Sequence, residues 1–319
     1  MNLSNLSGST SKGDFKHFME KEIYEQPEAI LNTIDGRVGG DDVLDNIFGL
    51  GSSELFEKVK RIQIVACGTS LHAGRVAANW FSSISELPTQ IDYASEYRYR
   101  NPHVDEDSLL VSISQSGETA DTLAALRYAK EKGYLSTLSI CNVPTSSLAR
   151  ESEYSIFTNA GPEIGVASTK AFSSQACLCA MLGLALGRMR DLSPMDGISI
   201  VEALNGLPDL VSDVLQKGEQ IRELAVKYSK AEHLLFLGRQ SLYPVALEGA
   251  LKLKEISYAH AEGYPAAELK HGPIALINPE CPSVFIVEGN ELSAKTIANM
   301  QEVKARNGPV LAIAPNNVE

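Results

Sequence analysis

The chain has 319 residues, 44% hydrophobic and 21% charged, with a formal net charge of −12. That length suits two domains rather than one core, and the composition is that of a globular protein. The acidic balance argues against a nucleic-acid or anionic-membrane surface as the main business, and no apolar run reads as a membrane span.

The five cysteines are Cys67, Cys141, Cys177, Cys179 and Cys281. An odd count in a long chain argues against a disulfide framework. Cys177-Leu-Cys179 is not a zinc spacing, no histidine cluster supports it, and no metal-ligand set stands out. The thiols read as small buried hydrophobes in a reducing cytoplasm. Residues 1–12 are polar, lack a signal peptide's apolar stretch, and read as a disordered leader or linker stump.

Residues 15–34 predict an amphipathic helix interrupted before Pro27, followed by a less ordered stretch with Gly36, Gly39 and Gly40. Residues 55–59 end another helix. A strand over 61–66 runs into the turn Cys67-Gly-Thr-Ser70 and a helix from about 71 to 83. A short strand begins near Ile91. The apolar run 109–113 predicts a buried strand; Ser114-Gln-Ser-Gly-Glu-Thr119 is its turn, and a helix covers 120–130. Strands follow at 135–140 and 155–158, with a short helix at 147–151 between them. Strands alternating with helices predict a parallel sheet covered on both faces, with ligands beyond the carboxyl ends of the strands.

The hydroxyl-rich turn Gly165-Val-Ala-Ser-Thr-Lys170 precedes a long apolar helix over 171–189, expected to lie buried between domains. Residues 191–196 break the pattern and suggest a linker before a helix at 198–215. Then the scheme restarts: strand 233–237, turn Gly238-Arg-Gln-Ser241, helix 243–259, strand 283–287, helix 292–306 and strand 310–313. This is a weak internal repeat whose second copy, with three strands, looks cut short.

Three features could carry chemistry. The turn 114–119 aims backbone N–H groups and short hydroxyls at one spot, and the following helix N-terminus adds partial positive charge. A dianionic phosphate ester suits it; the plainer reading is that Ser116 and Thr119 cap the helix. Glu248, Lys252 and Glu255, spaced four and three apart, share a helix face. They form either a surface ion-pair ladder or, since apolar flanks place the helix mostly in the interior, a carboxylate tuned as a base. His271, in Glu268-Leu-Lys-His-Gly-Pro273, could exchange protons near neutral pH, or could be an ordinary solvated or capping histidine. The other histidines, 17, 72, 103, 233 and 260, have no comparable context.

Four motifs stand in one order: Ser114-Gln-Ser-Gly-Glu-Thr-Ala-Asp-Thr122, Glu163-Ile-Gly-Val-Ala-Ser-Thr-Lys-Ala-Phe172, Ala246-Leu-Glu-Gly-Ala-Leu-Lys-Leu-Lys-Glu-Ile-Ser257 and Glu268-Leu-Lys-His-Gly-Pro273. Together with Lys21-Glu-Ile-Tyr-Glu-Gln-Pro27 they closely resemble the isomerase half of the glutamine–fructose-6-phosphate aminotransferase family, the glucosamine-6-phosphate synthases. The resemblance runs from about Lys12 to near the end of the chain. It implies an α/β fold of two tandem sugar isomerase (SIS) domains, 13–195 with an N-terminal helical extension and 196–319. Each would be a five-stranded parallel sheet flanked by helices, doubly wound and flavodoxin-like.

It also implies a fructose 6-phosphate site between the domains, with no cofactor and no metal. Ser70, Ser114, Gln115, Ser116 and Thr119 would hold the phosphate, with Thr69 beside them. Ala167 and Ser168 would line the sugar, with Val166 adjacent. Glu255 would move a proton between C1 and C2 with Lys252 beside it. His271, reaching in from the partner subunit of a homodimer, would open the ring. The products would be glucose 6-phosphate and, in the full enzyme, glucosamine 6-phosphate.

Two departures qualify these expectations. The family's glutaminase domain opens with a cysteine directly after the initiator Met, whereas Asn2 follows Met1 here. The imine-forming lysine of the family's carboxyl-terminal segment has no match either; Lys295 and Lys304 are not substitutes. Aminotransfer is therefore expected to be lost, which leaves two readings: an isomerase portion, or a non-catalytic phosphosugar sensor.

Overall fold

The computed structural model describes residues 10–316 and Val318. Residues 1–9 of the expected leader lie outside the described residues. The chain divides into two compact units, Met1–Leu215 and Gln216–Glu319.

The first unit opens with α1 (Phe18–Tyr24) and α2 (Gln26–Ile34). Pro27 sits in the first turn of α2, where its missing N–H and fixed φ start a helix rather than continue one. The glycine-bearing stretch read as irregular forms a small antiparallel pair, β1 (Val38–Gly39) and β2 (Asp42–Val43). Next come α3 (Ser52–Lys58), β3 (Arg61–Ala66), α4 (Gly68–Ile84), β4 (Thr89–Tyr93), α5 (Ala94–Tyr97), β5 (Ser108–Ser114) and α6 (Ala120–Lys130). The unit ends with β6 (Ser136–Cys141), α7 (Ser147–Glu151), β7 (Tyr154–Phe157), α8 (Lys170–Arg188) and α9 (Pro194–Leu215).

Five strands form one parallel sheet in the order β4-β3-β5-β6-β7. Every residue of β5 and β6 is buried, as befits central strands covered on both faces. The pleat sends alternate side chains to opposite layers. Leu109, Val111 and Ile113 enter a core with α8, while Leu110 joins Leu123, Leu126 and Leu148 on the other face.

Two expectations change in this unit, in which helix α8 packs against α4, α2 and the sheet. By length and composition α8 is also apolar enough to cross a membrane, contrary to the sequence reading, though 78% of its apolar window is buried. The division falls after Leu215 rather than at 195–196. Val201 and Leu204 bury α9 against α2, so this helix belongs to the first unit. The cysteines are free thiols, four buried and Cys67 half-buried. Burial pushes Cys177 and Cys179 up to about 12.

The second unit runs α10 (Gly218–Tyr228), β8 (His233–Gly238), α11 (Leu242–Ser257), β9 (His260–Pro265), β10 (Ser283–Ile286), α12 (Ser293–Lys304) and β11 (Val310–Ile313). Its parallel sheet has the order β11-β10-β8-β9. Strand β9 corrects the count of three strands to four among the described residues. It is an edge strand without a β-branched residue, held to β8 by backbone pairing, so it carries no apolar signature. Both sheets place their second strand outside the first and their third inside it. This is the doubly wound pattern, and its order reverses between β3 and β5 and again between β8 and β10.

Candidate functional site

The reversal between β3 and β5 is where a ligand is expected in such a sheet. Two helix N-termini lie there. Helix α4 begins at Gly68, directly after β3, so Thr69 and Ser70 sit in its first turn rather than in a turn before the helix. Helix α6 follows Thr119 after β5. Neither Cys67 nor Thr119, the two N-cap residues, uses its side chain to cap its helix. Both helices thus begin without a side-chain cap on their first-turn amides, where the helix dipole favours an anion. By contrast Ser146 caps α7, accepting from the Ala149 amide.

This rules out the capping reading for Thr119. Its hydroxyl instead lies 3.1 Å from that of buried Ser114, whose Oγ also accepts the Gly117 amide at 3.1 Å. Ser116 Oγ accepts the Glu118 amide at 3.1 Å within the turn. Gln115 and Gly117 anchor the turn through their carbonyls, which accept from Asn142 and Leu148 N–H, each at 3.0 Å. Glu118 accepts the Ser147 amide at 2.7 Å; hydrogen bonds from Ser147 hold its carboxyl below the usual range. Gly117 has φ +66°, and a Cβ there would lie 2.2 Å from Ser146 Oγ. The turn is thus fixed from outside, with Ser114 at the end of β5 and Ser70 in the first turn of the helix that follows the adjacent strand β3. Preorganised hydroxyls and amides of this kind suit a tetrahedral dianion.

Val166, Ala167 and Ser168 lie on the connection from β7 to α8, which has no regular secondary structure. Ala167 is buried, whereas Val166 is 93% exposed, a large apolar side chain facing outward beside the buried residue. Glu163 folds back on this connection, its Oε1 accepting Thr169 N–H at 2.7 Å and Ala171 N–H at 3.3 Å. Burial, with a smaller contribution from nearby Glu22, raises the Glu163 carboxyl above its ordinary value. The sequence reading gave Glu163 and Glu22 no role. Glu163 stands inside a quoted motif, but its contacts are read only from the folded loop.

In the second unit, α11 brings the expected trio together. Lys252 Nζ lies 2.7 Å from Glu255 Oε2 and 3.4 Å from Glu248 Oε1. Glu248 is buried. The helix is less enclosed than its apolar pattern predicts, since Ile256 is 55% exposed and Glu255 is exposed as well. His271 ends a short 3-10 turn, Ala266–His271, and is exposed. Among the described residues no three His, Cys, Asp or Glu side chains form a metal-binding group. A cavity of about 900 Å³ opens at the amino-terminal ends of β8 and β10, lined by Lys230, His233 and Cys281, and includes none of the expected site residues.

The SIS domain family matches residues 55–185 and 227–318. The chain belongs to the SIS family, as the isomerase half of a glutamine–fructose-6-phosphate aminotransferase. The isomerising aminotransferase of Pseudomonas putida is 52% identical over 307 residues, covering 96% of this chain and 50% of that protein. The one from Escherichia coli is 50% identical over 303 residues, covering 95% and 50%. The solved C-terminal domain of glucosamine-fructose-6-phosphate aminotransferase from Francisella tularensis is 48% identical, with a TM-score of 0.92 over 95% of this chain and 85% of that one. The chain spans about half the length of the curated relatives it matches.

Proposed function

We propose that this chain binds fructose 6-phosphate and interconverts it with glucose 6-phosphate. The supporting observation is the Ser114–Thr119 turn at a strand-order reversal, where the Thr119 hydroxyl lies 3.1 Å from that of Ser114 instead of capping α6. Ser70, Ser114, Gln115, Ser116 and Thr119, with Thr69, hold the phosphate. Binding energy from this non-reacting group then orients the reacting end. Val166, Ala167 and Ser168 line the sugar.

Aldose–ketose exchange needs one base for both carbons and an acid at the ring oxygen. Glu255 takes the proton from one carbon and returns it to the other, with Lys252, 2.7 Å away, as its ionic partner. His271 protonates the ring oxygen, contributed by the partner subunit of a homodimer. In a full-length aminotransferase a glutaminase domain supplies the nitrogen that leads to glucosamine 6-phosphate.

Calorimetric titration with fructose 6-phosphate and with inorganic phosphate tests the cradle. Competing, saturable binding of both is expected, and Ser116→Ala should weaken both. Absence of binding by either ligand contradicts the reading. Binding without turnover by a chain that retains Glu255 leaves the sensor instead.

A further inference from the structure

The connection 158–169 has no ladder of its own, so its backbone groups need partners from elsewhere. Much of that support comes from the N-terminal helices, far away in sequence. Glu22 of α1 is 2% exposed. Its Oε1 accepts Ile164 N–H at 2.5 Å and Gly165 N–H at 2.9 Å, and its Oε2 lies 3.2 Å from the Gly165 nitrogen. Gly165 permits this approach, because a Cβ there would stand 2.4 Å from Glu22 Oε2. Neighbouring ties run the same way. Lys170 donates to Glu25 at 2.8 Å, Ser173 to Gln26 at 2.5 Å, and Thr33 to the Thr158 carbonyl at 2.5 Å.

A buried carboxylate is costly unless its oxygens are satisfied, and one that accepts backbone amides in pairs fixes the chain that donates them. The amides Glu22 takes immediately precede Val166, Ala167 and Ser168. We infer that Glu22 is a positioning residue for the phosphosugar site: it holds the 164–165 backbone so that residues 166–168 form the wall against the sugar. The inference rests on the reading that these residues line the sugar. It makes the α1 extension part of the binding machinery, although α1 precedes the first matched SIS segment at residue 55.

The role separates sugar recognition from phosphate recognition, because the Ser114–Thr119 turn is anchored by Asn142, Ser147 and Leu148 rather than by Glu22. The test uses Glu22→Gln, which keeps one acceptor oxygen, and Glu22→Met, which keeps the shape and loses both. Affinities for fructose 6-phosphate and inorganic phosphate are measured on each, with amide exchange at Ile164 and Gly165. Glu22→Met should weaken fructose 6-phosphate about tenfold, and Glu22→Gln by less. Inorganic phosphate should change less than about twofold in both, and exchange at the two amides should rise.

Equal weakening of both ligands, or unchanged fructose 6-phosphate affinity with faster exchange, overturns the inference. If Glu22→Met does not fold, Glu22→Gln decides alone by the ratio of the two affinities. A wild-type protein that binds inorganic phosphate but does not prefer the sugar ester refutes the underlying sugar reading, and the inference with it.

Discussion

The two sheets share a strand order and differ in what they place at its reversal. Ile113 of β5 pairs with Ala66 of β3, and three residues further on stands Ser116. Phe285 of β10 pairs with Leu237 of β8, and three residues further on stands Glu288. Ser116 is a partly open hydroxyl. Glu288 is buried, accepts from Thr296 Oγ1 at 2.8 Å, and leaves its other oxygen without a partner among the described residues. Arg239, at the turn after β8, is engaged by Asn299 at 2.7 Å. On the proposed reading the first reversal offers open hydroxyls to an anion, whereas the second carries a buried acidic side chain at the matching step, together with an arginine whose Nε has no partner among the described residues. One topology fixes the place, and a few side chains at the strand ends decide what can sit there.

Gly117→Ala should break the comparison most severely. Its φ of +66° and the 2.2 Å approach to Ser146 Oγ leave no room for a methyl group. The turn must shift, at about 2 kcal/mol or more; thermal melting should show a loss of stability, and calorimetry a loss of phosphosugar binding. Ser116→Ala removes a hydroxyl offered to a dianion and should weaken fructose 6-phosphate roughly tenfold or more, at little cost in stability.

Ser70 and Ser241 stand at matching places, each four residues beyond the paired Ala66 and Leu237. Calorimetry should find about tenfold weaker binding in Ser70→Ala and no change in Ser241→Ala; equal losses would erase the contrast. The smallest effect concerns pH. Burial raises the Glu163 carboxyl above its ordinary 4.5, so the folded state holds this proton more tightly than the unfolded one. The group's contribution to stability therefore falls as pH rises from the unfolded value through the folded one. Glu163→Gln should remove that slope, so its melting temperature relative to wild type should climb between pH 4.5 and neutrality.

Much of the first sheet could be read from residue type. Residues 109–113 form an uninterrupted apolar run because β5 is buried on both faces, and the hydroxyl turn after it announces itself by composition. Strand β9 could not be read this way, because it has no β-branched residue and its pairing to β8 is through the backbone. The division at Leu215 was hidden because α9 continues past the Asp191–Asp196 break and buries Val201 and Leu204 against the first unit. Glu22 escaped for another reason. Its partners lie 142 and 143 residues away, and a glutamate in a charged amphipathic helix looks like any solvated one. Glu255 and Lys252 were legible because helical spacing alone brings them within 2.7 Å.

The central claim is that the first unit holds the phosphate while Glu255 performs the proton transfer. A coupled fructose 6-phosphate to glucose 6-phosphate assay on the wild-type chain and on Glu255→Gln, with calorimetry on both, tests it most directly. The account predicts measurable wild-type turnover, a fall of roughly a hundredfold or more in the variant, and fructose 6-phosphate affinity unchanged within about twofold. Equal turnover by the two proteins, or binding by both with turnover by neither, would contradict it.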